Sequence, residues 1–431
     1  MRSSYKPIGK FIRLVKTRNA GLEVTELRGI RINKEFMPSV ANVIGTDLRN
    51  YKVVRKNQFA YNPMHVGRDG ILPIAQLDSE EPVIVSPAYV VFEIRNPDEL
   101  LPEYLMMWCR RPEFDRQAWF TTDSSVRGGF DWKDFCEMEM PVPSPEKQRE
   151  IVAEYETVVN RIALNERLGR KLEETAQAIY KHWFVDFEFP MSAEYAKKLG
   201  KPELEGKPYK SSGGEMIHNE ALEDNLPANW DFGCWGDIAT VLCGFAFPGE
   251  EYSTGTGIAV ARGENVSEQF FRWDTRKTWD HELPARAAKC RLQEWDIIIG
   301  MDGSKVGKNW AIVSKYDLPM ILAQRVACVR GNRSSFQCFL YFSMFSDRFF
   351  NHVCQVATGT SVPHISAQQI LDFQIVIPDI NLLGDFARLI KGLLESQKNQ
   401  ISINSNLEEL RTNILSKMAL QPLASLTAST A

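Results

Sequence analysis

The sequence predicts an α+β chain in which two strand-rich globular regions follow one another in tandem. Each is followed by a long helix, and the two helices pair as an antiparallel coiled coil. Three observations predict this: an internal repeat at an offset of 235 residues, a heptad seam after each repeated strand, and short apolar runs between turn signals ahead of it.

The repeat is clearest where Phe135-Cys-Glu-Met-Glu-Met-Pro-Val-Pro143 aligns with Ile370-Leu-Asp-Phe-Gln-Ile-Val-Ile-Pro378. Apolar residues alternate at matched places (Met138/Phe373, Met140/Ile375, Val142/Ile377), and both runs end in proline. The same offset carries Leu172-Glu-Glu174 onto Leu407-Glu-Glu409 and Ile179 onto Ile414. Upstream, Val83-Ile-Val-Ser resembles Met320-Ile-Leu-Ala, and Ser125-Val126 resembles Ser361-Val362. A period this long marks a duplicated domain, not a solenoid.

The first long helix begins where Ser144 caps, Pro145 occupies the first helical position and Glu146 meets the positive end of the dipole. Its seam runs through Ile151, Tyr155, Val158, Ile162, Leu172 and Ile179 in steps of four and three, with Asn165 and Gly169 as weak points. The second seam runs through Phe386, Ile390, Leu393, Leu407 and Ile414, with polar Gln397, Gln400 and Asn404 in the middle. Antiparallel pairing brings the two polar mid-points together, which costs stability but fixes register. A homodimer zipper would use the same seams; the duplication favours pairing within one chain. Helices of about forty residues span roughly 55 to 60 Å.

Strands are expected at Gln58 to Tyr61, Pro82 to Val85, Val90 to Ile94 and Glu137 to Val142. In the second region they are expected at Ile258 to Ala261, Ile297 to Ile299, Ala311 to Val313, Val326 to Val329 and Phe373 to Ile377. Short helices are expected at Pro102 to Arg110 and Phe336 to Ser346. The domain boundaries that follow are 1–144, the first helix 145–186, a linker 187–229, 230–379, the second helix 380–420 and a disordered tail 421–431. The linker reading rests on Gly200-Lys-Pro, Gly206-Lys-Pro and Ser211-Ser-Gly-Gly214.

Composition excludes several classes. With 44% hydrophobic and 25% charged residues the chain is neither disordered nor collagen-like, and it has no apolar run long enough for a membrane span. The N-terminus lacks the apolar stretch of a secretory signal, so a cytoplasmic protein is expected. Eight scattered cysteines show no metal-ligand spacing and read as reduced thiols. The net charge of −4 hides an asymmetry: residues 1–76 carry fourteen Lys and Arg against five Asp and Glu, so one face could hold phosphates.

Catalytic motifs fail on inspection. Gly303-Ser-Lys-Val-Gly-Lys308-Asn309 has the wrong glycine spacing for a phosphate loop, and Asn309 replaces the magnesium-binding hydroxyl residue. Asn62-Pro63-Met64 and Asn96-Pro97-Asp98 lack the second proline and the aromatic of an amino-methyltransferase loop, and the six histidines show no ligand pairing. The chain is expected to be non-catalytic and to bind neither metal nor cofactor itself.

Residues suited to DNA are plentiful on turn-rich segments. In the first region these are Lys16, Arg18, Asn19, Arg28, Arg31, Lys34, Asn62, His65, Arg68 and Arg127. In the second they are Arg262, Asn265, Arg276, Lys277, Lys305, Lys308, Asn309, Thr360 and His364. Arg, Lys, Asn and Gln forks read base edges, whereas cations and backbone amides hold phosphates. Two like domains on a rigid spacer suit a split target, with half-sites about one turn (~34 Å) apart on one side of a duplex.

This pattern resembles the specificity subunit of type I restriction-modification enzymes. The resemblance rests on the strand-Pro-helix units at Phe135 to Phe184 and Ile370 to Met418, on Trp183-Phe-Val-Asp-Phe187, on Leu226-Pro-Ala-Asn-Trp230, and on the loops Met301 to Lys308 and Gly359 to His364. It implies two target-recognition domains, each reading one half of an asymmetric bipartite DNA site. It also implies helices that dock two methyltransferase subunits using S-adenosylmethionine, and restriction-translocase subunits using ATP and magnesium, joined through them. Arg127-Gly-Gly129 differs from Pro363-His364 at the matched loop, so the domains are expected to read different sequences. The competing reading is a duplicated coiled-coil scaffold that bridges proteins without DNA specificity.

Overall fold

The computed structural model describes residues 5–39, 45–64, 66–122, 129–359 and 361–419, without the side chains of Gly67 and Arg68. The tail expected at 421–431 lies outside the described residues. The chain divides into two compact units, residues 1–166 with 401–431, and residues 167–400. Each unit therefore takes a part of both long helices, Pro145–Phe184 and Ile380–Lys417.

In the first unit Ile12–Leu14, Val90–Ile94, Phe59–Tyr61 and Ile74–Gln76 form an antiparallel sheet in that order. Phe59 and Phe92 are register partners on adjacent strands, and their rings stack with centroids 4.9 Å apart. Cross-strand aromatic pairs of this kind are the unit of sheet stabilisation. Helices Pro102–Cys109 and Pro112–Thr121 pack Leu105, Phe114 and Ala118 into the same core. Tyr5–Pro7 pairs with Glu139–Pro141, which ties the end of the globular region to its beginning just before the long helix starts.

That start follows the sequence. Ser144 Oγ accepts the Lys147 N–H at 3.4 Å, and Pro145 takes the first helical position. Buried Gln148 fastens the first turn: its Nε2 donates to the Glu99 and Pro143 carbonyls, each at 2.9 Å, and its Oε1 accepts from Leu101 N. Further along, Tyr155, Val158 and Ile162 are buried in one core with Ile414 and Leu415, while Ile151 and Leu407 lie half-buried against it.

The second unit repeats the plan. Ala239–Cys243, Val326–Gly331, Ile297–Gly300 and Trp310–Ile312 form the corresponding antiparallel sheet. Asp231–Cys234 pairs with Gln374–Ile377 as Tyr5–Pro7 does with Glu139–Pro141. Ser334–Ser343 and Asp347–Val356 take the places of the two short helices. The units differ beside the sheet, where Ile258–Ala261 pairs antiparallel with Thr278–Trp279 and parallel with Met320–Leu322. Phe386 and Ile390 are fully buried, with Ile179 and Leu393 packed against their core and Leu172 half-buried. Phe184 meets Phe386 at 4.8 Å between ring centroids, and Glu173 accepts from Gln397 Nε2 at 3.2 Å, so the helices run antiparallel.

Several expectations need correction. Residues 187–229 are folded: Ala193–Lys198 is helical, Met216–Asn219 pairs with Asp224–Pro227, and Phe187, Phe189, Met191, Tyr209 and Leu226 are buried. Phe189 stacks on Tyr209 at 4.5 Å and on Trp230 at 5.0 Å, so irregularly spaced aromatics, not turn residues, decide this segment. Glu137 ends the helix Trp132–Glu137, whose Phe135 is buried, and the strand begins at Glu139. The strand expected at Ala311 to Val313 is Trp310–Ile312, and the helix expected at Phe336 to Ser346 is Ser334–Ser343. Pro112–Thr121 and Asp347–Val356 were not foreseen.

Candidate nucleic-acid interface

In the second unit, glycine geometry shapes the basic loop. Gly303 and Gly307 have φ of 106° and 85°, and a Cβ on Gly307 would sit 3.0 Å from Val353, so glycine lets the loop cross close to the helix Asp347–Val356. Exposed Lys308 lies over the Phe350 ring of that helix at 4.7 Å. Exposed Lys305 pairs with Glu268 at 2.7 Å, and that hydrogen bond holds the Glu268 carboxyl below its ordinary value. Asn309 is half-buried, and its carbonyl accepts from Gly300 N at 2.9 Å.

A second loop joins the first. Thr358 and His364 exchange backbone hydrogen bonds at 2.9 and 2.8 Å, Gly303 N donates to the Pro363 carbonyl at 3.1 Å, and Ile365 N donates to the Met301 carbonyl at 2.9 Å. Between them, Asp302 Oδ1 accepts from His364 Nδ1 and Asp302 Oδ2 accepts from Arg325 Nη1 at 3.1 Å. A concave site of about 500 Å³ lies here, lined among others by Phe247, Tyr252, Arg262, Asp302 and Arg325. Three segments singled out separately in the sequence thus converge on one surface.

Not every expected residue is available. Asn265 is fully buried: it accepts from Arg262 N at 3.3 Å and donates to the Arg272 carbonyl at 3.0 Å. Arg262 is occupied by the Thr275 carbonyl at 2.7 Å, by Glu264, and by the Tyr252 ring at 5.6 Å. Arg276 is exposed beside Trp273, and Lys277 is half-buried.

In the first unit, Lys34 is corrected outright. It is 5% exposed, and its Nζ lies 2.8 Å from both oxygens of Asp115, so it cannot face a phosphate. Burial holds its ammonium below the ordinary lysine value despite that partner, and burial likewise raises Asp115. Asn19 is also buried and closes its own loop through Val24 N at 3.1 Å and the Val24 carbonyl at 2.8 Å. Asn62 accepts from Met64 N at 3.0 Å in a local turn. Lys16, Arg18 and Arg31 remain exposed. Arg18 donates to Asn50 Oδ1 at 2.9 Å and is the bridge partner of Lys52, whose ammonium is lowered by burial and then by Arg18. His65, Arg127, Thr360 and the Arg68 side chain lie outside the described residues. Reading the sequence missed Asn50, Lys52, Asp302 and Arg325; the signal for Arg325 was Gln324-Arg325 interrupting two apolar runs.

The EcoAI type I restriction enzyme specificity subunit of Escherichia coli is 29% identical over 168 residues, which is 38% of this chain and 28% of that protein. The MjaIX specificity subunit of Methanocaldococcus jannaschii is 23% identical over 290 residues, 67% of this chain and 61% of that one. The HindI specificity subunit of Haemophilus influenzae is 20% identical over 430 residues, 90% of this chain and 91% of its own. The chain is a homologue of type I restriction enzyme specificity subunits. The matches to the first two of these specificity subunits span less than two thirds of their length. The crystal structure of the type I restriction-modification S subunit from M. genitalium shares the fold, with a TM-score of 0.57 at 13% identity over 98% of this chain and 96% of that one. No family model matches the chain. Among the described residues, no helix is long and apolar enough to cross a membrane.

Proposed function

We propose that the chain is the non-catalytic DNA-recognition subunit of a type I restriction-modification complex. Each repeat reads one half of an asymmetric bipartite duplex site. The paired helices dock two methyltransferase subunits and, through them, restriction-translocase subunits. S-adenosylmethionine, ATP and magnesium serve those partners. The observation that carries the reading is the duplicated plan: beside a four-stranded sheet, each unit pairs an early strand with a terminal strand that leads directly into a long helix. Unlike loops on like frameworks suit two different half-sites, because base contacts specify while the framework positions.

The test is co-expression with the methyltransferase subunit, followed by fluorescence anisotropy on duplexes and sequencing of methylated bases. One bipartite motif should be methylated, and exchanging residues 230–379 for those of another specificity subunit should change one half of it. Duplex binding with no sequence preference would favour a protein-bridging scaffold.

A further inference from the structure

Arg325 lies at the tip between Met320–Leu322 and Val326–Gly331, and its surroundings fix the backbone while leaving the side chain out. Gln324 N donates to the Phe245 carbonyl at 2.8 Å, Gly244 N to the Val326 carbonyl at 3.1 Å, and Met301 N to the Arg325 carbonyl at 3.1 Å. Gly244 has no room for a side chain, since a Cβ there would fall 1.8 Å from the Ala323 carbonyl oxygen; the crossing strand therefore lies hard against the tip. Arg325 itself has φ of 66°, a conformation that residues with a side chain adopt only when the surroundings impose it. The side chain is nevertheless 72% exposed, and it borders the concave surface where the two motif loops meet.

The guanidinium is also aimed. Asp302, only 19% exposed, accepts from Arg325 Nη1 with one oxygen and from His364 Nδ1 with the other, so the carboxylate is held from two sides. A carboxylate beside an arginine repels phosphate, but it leaves the remaining donors of the planar fork directed at neutral acceptors. The neutral edge that matches such a fork is guanine O6 and N7 in the major groove.

We infer that Arg325 is a specificity-determining residue that reads a guanine in the half-site of the second repeat, with Asp302 as its positioning residue. This rests on the DNA-recognition reading above and adds a base and a residue to it. Lys308 differs from Arg325 in that its ammonium lies over the Phe350 ring and is not hydrogen-bonded by a carboxylate in the contacts above, which suits it to the phosphates.

The experiment uses the chain in complex with its methyltransferase and measures binding to a set of duplexes carrying every single-base change in the methylated motif. Arg325→Ala and Arg325→Lys should each relax discrimination at one guanine by about 5- to 150-fold. Preferences at all other positions, including the whole other half-site, should stay intact, which also reports that the variants fold. Asp302→Asn should relax the same position partially and no other. Uniform loss of affinity with unchanged base preference would make Arg325 a phosphate contact and overturn the inference alone. A wild-type complex without any base preference would instead overturn the recognition reading, and the inference with it.

Discussion

Asn165 Nδ2 donates to Asn404 Oδ1 at 2.8 Å, and Asn404 Nδ2 in turn donates to the Ile162 carbonyl at 3.3 Å. Asn165 and Asn404 thus partner each other where apolar packing would otherwise continue. Replacing one partner strands the other, whereas replacing both removes the demand. Asn404→Leu should destabilise the chain by about 1–3 kcal/mol, because it leaves buried Asn165 without its acceptor. Asn165→Leu with Asn404→Leu should restore most of that stability in thermal unfolding. A double variant as unstable as the single would show that the pair is not the unit.

The Lys34–Asp115 pair makes a similar case with charges. Lys34 is buried and Asp115 nearly so, at 5% and 14% exposure, and Asp115 also accepts the Leu72 N–H at 3.1 Å. Breaking a buried pair is expensive because one charge is left uncompensated. Asp115→Ala should cost about 3–5 kcal/mol, while Lys34→Met with Asp115→Asn, which keeps an acceptor for Leu72, should cost no more than about 1 kcal/mol. The sign with pH follows from the shifts. Lys34 is lowered, so the penalty on its charged form is relieved as pH rises towards its unfolded value of 10.5. Asp115 is raised, so its penalty is relieved as pH falls towards 3.8. The double variant should therefore compare best with the wild type near neutral pH in denaturant titrations, and less well towards either extreme.

The segment 187–229 should behave as part of a folded unit. Trp230 packs on Phe184, Phe187 and Phe189, with ring centroids at 5.9, 5.5 and 5.0 Å. Trp230→Ala removes that anchor and should destabilise by about 3–5 kcal/mol. Limited proteolysis provides the measurement: the wild type should resist cutting between 187 and 229, and the variant should be nicked there. Rapid nicking of the wild type would reinstate a loose connector.

What could be read in advance was whatever is periodic. The strand-Pro-helix units repeat at a fixed offset, and the seams recur every three or four residues, so Tyr155, Ile162, Phe386 and Ile390 announced their burial. The cluster around Trp230 has no period, because tertiary packing gathers Phe184, Phe189 and Tyr209 from unequal spacings. Lys34 looked like any surface cation, since its partner Asp115 stands 81 positions away. Asp302, Arg325 and His364 come from three separated segments, and no local pattern predicts their meeting.

The exposed cations differ in what they can do for a phosphate, and salt dependence separates them. Each cation that neutralises a phosphate contributes about 0.9 to the slope of log affinity against log salt. Lys308 is exposed and held over Phe350, and Arg18 is exposed beside its bridge partner Lys52, so Lys308→Ala and Arg18→Ala should each reduce the slope by about 1. Lys305 is already matched by Glu268 at 2.7 Å, so binding a phosphate must compete with that carboxylate. Lys305→Ala should therefore reduce the slope less than Lys308→Ala, and Glu268→Gln should strengthen binding to unrelated duplexes. Anisotropy titrations between about 50 and 200 mM salt read all four variants. Equal slopes for Lys308→Ala, Arg18→Ala and the wild type would remove both residues from the phosphate contacts, whatever their effect on affinity at one salt concentration.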